Sequence, residues 1–154
     1  MDIESLLQSL NAHKVQYSII GAAAFPAHGY SRPTGDIDIF VRATPKNAQR
    51  TLEALAEAGY DVTDVSVEVL LKKKLLIRQY AQAVDIHPHV KGATFEGVWA
   101  RKVADKVGKT TTYFTSLNDL IRMKEAAGRP KDLLDLEVLV KLKERKKRKR
   151  KSRG

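Results

Sequence analysis

Apolar positions recur along this chain with two different periods, and the switches between them mark its elements. Ile3, Leu6, Leu7 and Leu10 fall at helical spacing, which predicts an amphipathic helix over 3–12. Val15 to Ile20 is a short, mostly apolar run that reads as a strand feeding a helix at Gly21. That helix is expected over about 21–29, after which Arg32-Pro33 forces an extended loop. Residues 36–42 alternate, so Asp36 and Asp38 share one face of a strand while Ile37, Ile39 and Val41 aim at the core. Thr44 before Pro45 is an N-cap followed by a first-turn proline. The helix it opens buries Leu52, Leu55 and Ala56 and ends at Gly59.

Residues 64–73 fit two patterns. Val65, Val67 and Val69 alternate as in a strand, whereas Leu70, Leu71 and the lysines favour the short helix adopted here. Leu75–Tyr80 and Ala83–Val90 read as two strands joined by a tight turn, the second carrying Asp85. Thr94 caps a short helix over Phe95–Arg101, with Trp99 packing inward, and a hairpin follows around Val107-Gly108-Lys109. Ser116-Leu117-Asn118-Asp119 resembles a capping box opening a helix that Gly128-Arg129-Pro130 breaks. A last helix is expected from 131 to about 145. This order of elements predicts an α+β fold, a mixed β-sheet backed by helices.

Composition adds three constraints. A chain of 154 residues suits one domain with a sizeable core. The absence of cysteine excludes disulfides and thiolate metal sites and fits a cytoplasmic location. The start, MDIESLLQSL, is too acidic and too poor in apolar residues for a signal peptide, and no run approaches a membrane span. The net charge of +10 is unevenly placed: residues 141–154 hold ten Lys or Arg against Glu144 alone. Residues 1–140 are therefore nearly neutral. The chain divides into a domain over 1–140 and a basic tail over 141–154, expected to be disordered because its charges repel. The tail either makes contact with RNA, DNA or an acidic partner, or only aids solubility.

The chemistry concentrates in Gly21–Val41. Two carboxylates on one strand face repel unless a cation sits between them, and hard oxygen ligands suit Mg²⁺ bound together with substrate phosphates. The helix start at Gly21 offers free backbone N–H groups for phosphate, and Arg32 adds a positive charge.

The whole string resembles the signature of the DNA polymerase β-like nucleotidyltransferase superfamily in its small stand-alone form. Ala24, His28, Gly29, Arg32, Thr34, Asp36, Ile37 and Asp38 match the pattern in register, while Ala22 stands where the family has Gly or Ser. The resemblance extends through Gly92 and Phe95-Glu96 to a C-terminal stretch around Lys124, Arg129, Lys131, Asp132 and Asp135. It implies the nucleotidyltransferase fold and a Mg²⁺-dependent transfer of NMP from an NTP such as ATP to a hydroxyl acceptor, with pyrophosphate released. Asp36, Asp38 and Asp85 would be the catalytic, metal-holding acids for two Mg²⁺ ions. Gly21, Ala22, Arg32, Thr34 and Lys124 would hold the nucleotide. Asp132 and Asp135 are read instead as partners that lock two helices. Many small relatives belong to toxin–antitoxin pairs, so a protein or tRNA acceptor is the expectation. A degenerate protein that binds nucleotide, RNA or a partner is the rival.

Beside the acids lie three histidines of open role. His28 suits a structural hydrogen bond or a substrate contact equally. His87 and His89 share a face with Asp85 if the strand stays regular, but Pro88 favours polar residues at a strand exit over a metal set.

Overall fold

The computed structural model describes residues 2–153. Local capping sets its helices. Asp2 accepts from Ser5 N–H ahead of α1 (Ile3–Ala12), and Thr44 accepts from Asn47 N–H ahead of α2 (Pro45–Glu57). Ser66, Thr94 and Ser116 do the same for α3 (Val67–Lys72), α4 (Phe95–Ala100) and α5 (Leu117–Ala127). Each cap satisfies a donor that the helix itself leaves unpaired. The doubtful stretch before Lys73 is thus a helix, because Ser66 can cap it. The segment Gly21–His28 is a 3₁₀ helix with Pro26 inside it, and Gly29 in the left-handed region closes it.

Six strands form one mixed sheet in the order β3 (Leu75–Ile77), β4 (Ala83–His87), β2 (Asp36–Val41), β1 (Tyr17–Ile20), β6 (Thr110–Phe114), β5 (Val103–Val107). β2 runs parallel to β4 and β1 parallel to β6, while the remaining neighbours are antiparallel. With its helices this is an α+β architecture, as the pattern predicts.

Alternation along the central strands divides the sheet into two unlike faces. Tyr17 and Ile19, Ile37, Ile39 and Val41, and Val84 and Ile86 all enter the main core with Leu6, Leu10, Leu52 and Leu55. The opposite face carries Asp36, Asp38 and Phe40 on β2 and Asp85 and His87 on β4. There a second cluster of Ile20, Phe40, Phe95, Val98 and Met123 covers one end of the strands. Trp99 is half-buried against it, stacked on Phe95 with centroids 5.8 Å apart. The other end is left open. Where the apolar cluster stops, the acids leave that face open to a polar ligand.

The last helix departs from expectation. Rather than stopping near residue 145, α6 (Pro130–Arg153) continues through the basic segment, so residues 141–153 are helical. Lys and Arg have high helix propensity. Lys141 also bonds Glu137 one turn back at 3.2 Å, and Leu139 is fully buried in the main core. Among the described residues no helix is long and apolar enough to cross a membrane.

Candidate functional site

Register does what sequence spacing could only suggest. In the parallel pair β2–β4, Asp38 lies directly opposite Asp85, and in β1–β2 it lies opposite Ile20. Both carboxylates therefore stand side by side on the open sheet face, at the floor of a cleft of about 970 Å³. That volume is of the size that encloses a nucleotide-sized ligand. Gly21, Ala22, Arg32, Thr34 and Lys124 also line the cleft. Seven of the eight expected site residues thus converge on it.

Asp36 is the exception. It sits at the start of β2 with its side chain half exposed, and it does not line the cleft. Among the described residues, the group whose ligand atoms come within 4.8 Å of one another is instead Asp38, Asp85 and His87. His87 is the last residue of β4, so it keeps the alternation that puts it on the face of Asp85. Its Nε2 lies 2.9 Å from Asp38 Oδ1. Pro88 then takes the chain out of the sheet, and His89, at the cleft wall, bonds the Leu71 carbonyl at 2.9 Å and not the carboxylates. The two histidines, equivalent in the sequence pattern, therefore separate at the proline.

Arg78 is the residue that the strand pattern does not reveal. The β3–β4 hairpin pairs Ile77 with Val84, which brings the Arg78 guanidinium onto both oxygens of Asp85, one of them at 2.9 Å. The same guanidinium is 4.0 Å from Asp36. Asp85, expected as a lone carboxylate on an apolar strand, is therefore buried but paired. Counting back across the turn from Asp85 was the available signal, but a two-strand register depends on the turn, which the sequence leaves open.

Arg32 and Lys124 reach the cleft already engaged. Arg32 forms a two-pronged bond to Asp135, at 2.9 Å and 2.8 Å. Lys124 lies 3.1 Å from Asp132 and 3.3 Å from Asp135. Arg129 closes on Asp132 at 2.7 Å. The two buried acids of α6 thus lock that helix to α5 and to the 30–34 loop, the structural role expected of them. The Arg129 bond comes first in holding the Asp132 carboxyl at about 2, with Lys124 adding to it. Thr34 donates its hydroxyl to the Asp36 carbonyl at 2.9 Å and shapes the loop before β2.

Other cations at the cleft are not consumed in this way. Lys74, Lys91 and Lys131 line it and, among the described residues, form no ion pair. Lys131 belongs to the C-terminal stretch that the sequence singled out, whereas Lys74 and Lys91 sit on separate loops that no pattern marked.

His28 proves structural. It is buried, and its Nε2 bonds the Thr115 carbonyl at 2.8 Å. Burial pushes its pKa below the usual histidine value, which keeps the ring neutral and Nε2 the donor.

The donor set of Asp38, Asp85 and His87 fits a divalent cation in number and spacing. Two carboxylates favour magnesium or manganese, while an imidazole extends the choice toward softer metals. For Asp85 to take part, Arg78 must give way, and its half-exposed side chain has room to do so.

Compared with models of known protein families and with curated sequences, the chain matches none.

Proposed function

We propose that this protein is a nucleotidyltransferase, moving NMP from a nucleoside triphosphate to a hydroxyl acceptor in a divalent-metal-dependent reaction. The observation that carries this reading is the alignment of Asp38 with Asp85 at the floor of the cleft, directly behind the Gly21 turn. Supporting it is the resemblance of residues 15–140 to the polymerase β-like superfamily.

Asp38 and Asp85 would hold the metal, with His87 fixing the orientation of Asp38. A divalent cation bound there neutralises phosphate charge and acidifies an acceptor hydroxyl. Lys74, Lys91 and Lys131 would draw the triphosphate into the cleft, and the backbone N–H groups of the turn at Gly21 would contact it. Arg78, once released from Asp85, is placed to meet the phosphates. Asp85 then takes the acceptor proton on a carboxylate oxygen. The acceptor oxygen forms its bond to the α-phosphorus, and the bond to the bridging oxygen breaks, with its electron pair leaving on pyrophosphate. Catalysis of this kind is mostly positioning and charge stabilisation. The acceptor class that the resemblance favours is a protein or an RNA end, in a cytoplasmic toxin–antitoxin setting.

One observation favours a second reading. Arg78 satisfies both oxygens of Asp85 without any metal, as expected of a degenerate domain that binds nucleotide or a partner, for example as an antitoxin.

The deciding experiment measures pyrophosphate released from each NTP with Mg²⁺ or Mn²⁺, with and without cellular RNA or protein. Release that falls roughly 100-fold or more in Asp38→Asn and Asp85→Asn supports transfer. NTP binding without release under every condition supports the second reading.

A further inference from the structure

We propose that the far half of α6 is a nucleic-acid-binding arm that grips the phosphate backbone of a polynucleotide without regard to base sequence. The proposal is independent of nucleotidyl transfer in the cleft.

α6 docks on the body by a single stripe. Asp132, Asp135 and Leu139 are buried and Leu142 is half-buried, while Lys146 reaches His28 Nδ1 at 3.4 Å. These positions advance by three and four residues, so they lie on one face. Arg145, Lys147, Arg148 and Lys151 fall outside the stripe, and Arg150 continues its line beyond Lys146; all five are exposed. At 100° per residue they spread over much of the circumference. Glu144 is the only acid in this segment. Continuous helix holds these cations along roughly 9 Å of a rigid rod rather than on a collapsing coil.

What such a rod can bind follows from what it lacks. No residue after Leu142 is apolar. A helix that lies in a membrane surface needs an apolar face, and one that enters a protein groove needs apolar anchors. Only charge remains. Nucleic acid is the partner with a matching charge density, about one phosphate per 1.7 Å of duplex axis. Because residues 1–140 are nearly neutral, most of the net charge that attracts a polyanion lies in the arm. The opening turns of the same helix line the cleft through Lys131, Asp132 and Asp135. About 15 Å of helix separates Asp135 from Arg145, so a strand on the arm passes within reach of the cleft.

The test is fluorescence anisotropy of a labelled RNA strand and a labelled DNA duplex, titrated with the full chain over a salt series. The comparison is a full-length variant with Arg145, Lys147, Arg148, Arg150 and Lys151 all changed to Gln. Glutamine keeps helix propensity, and circular dichroism with an unchanged melt verifies the fold. The wild type is expected to bind at least one of the two nucleic acids. The salt slope of the variant should be shallower by about four, with affinity down ~100-fold or more at moderate salt. Equal affinity of the two proteins would overturn the proposal. So would tighter binding of the wild type to polyglutamate or to anionic vesicles than to either nucleic acid. Neither readout depends on pyrophosphate release.

Discussion

Gly21 backs directly onto Asp38: a Cβ at this glycine would stand 3.1 Å from Asp38 Oδ2, and the backbone there has φ +66°. Both facts favour glycine, one for conformation and one for space. We predict that Gly21→Ala lowers stability by about 1–2 kcal/mol through left-handed strain and displaces the Asp38 carboxylate. Urea unfolding measures the first effect and calorimetric Mn²⁺ titration the second. A variant with wild-type stability and metal affinity would show that the close approach is inconsequential.

The proposed divalent cation would compete with Arg78 for Asp85. Arg78→Gln leaves a buried carboxylate without its bidentate partner, so the metal-free protein should melt at a lower temperature. Adding Mn²⁺ should recover more of the melting temperature in the variant than in the wild type, since bound ligand stabilises the folded state by mass action. Equal Mn²⁺-induced shifts in the two proteins would contradict the competition.

Acid should unlock α6. The folded-state pKa of Asp132 lies near 2, below its ordinary value of 3.8. At Asp135 burial acts to raise the pKa but is outweighed by Arg32 and Lys124, leaving it lowered as well. A depressed carboxylate contributes stability that is complete above its unfolded pKa and is lost as pH falls through the folded one. Stability should therefore decline between about pH 4 and pH 2. Asp132→Asn should be less stable at neutral pH and show a flatter decline, as read by urea midpoints across that range. A decline as steep as the wild type's would place the titrating group elsewhere.

His28 adds a second, milder window. Its burial lowers the folded pKa below 6.5, helped by the nearby Lys146, although the Thr115 carbonyl bond opposes the shift. The unfolded chain then binds the extra proton first, so the His28 contribution is intact above about pH 6.5 and shrinks as pH falls below it. His28→Gln should remove that slope. NMR titration of the ring should give a pKa under the usual value, and a normal or raised one would refute the assignment.

Local chemistry was legible in the chain. Caps at Thr44, Thr94 and Ser116, the break at Gly128 and the alternation through Ile37, Ile39 and Val41 are short-range features, and each element they predict is present. The locking role of Asp132 and Asp135 was also readable through Lys124 and Arg129 in the same motif, whereas the pairing of Asp135 with the distant Arg32 was not. Tertiary structure alone decided which acids meet. Asp36 and Asp38 are neighbours in sequence, yet strand register puts Asp38 with Asp85 and His87 and leaves Asp36 at the edge. It also brought Arg78 onto Asp85 across a turn whose geometry the residues do not specify. Like-charge repulsion suggested a loose end after residue 141, but packing of Leu139 and Leu142 and high helix propensity carry α6 on to Arg153. Periodicity reports what one segment prefers. Register and long-range pairing depend on segments distant in the chain, and those relations place the groups at the floor of the cleft.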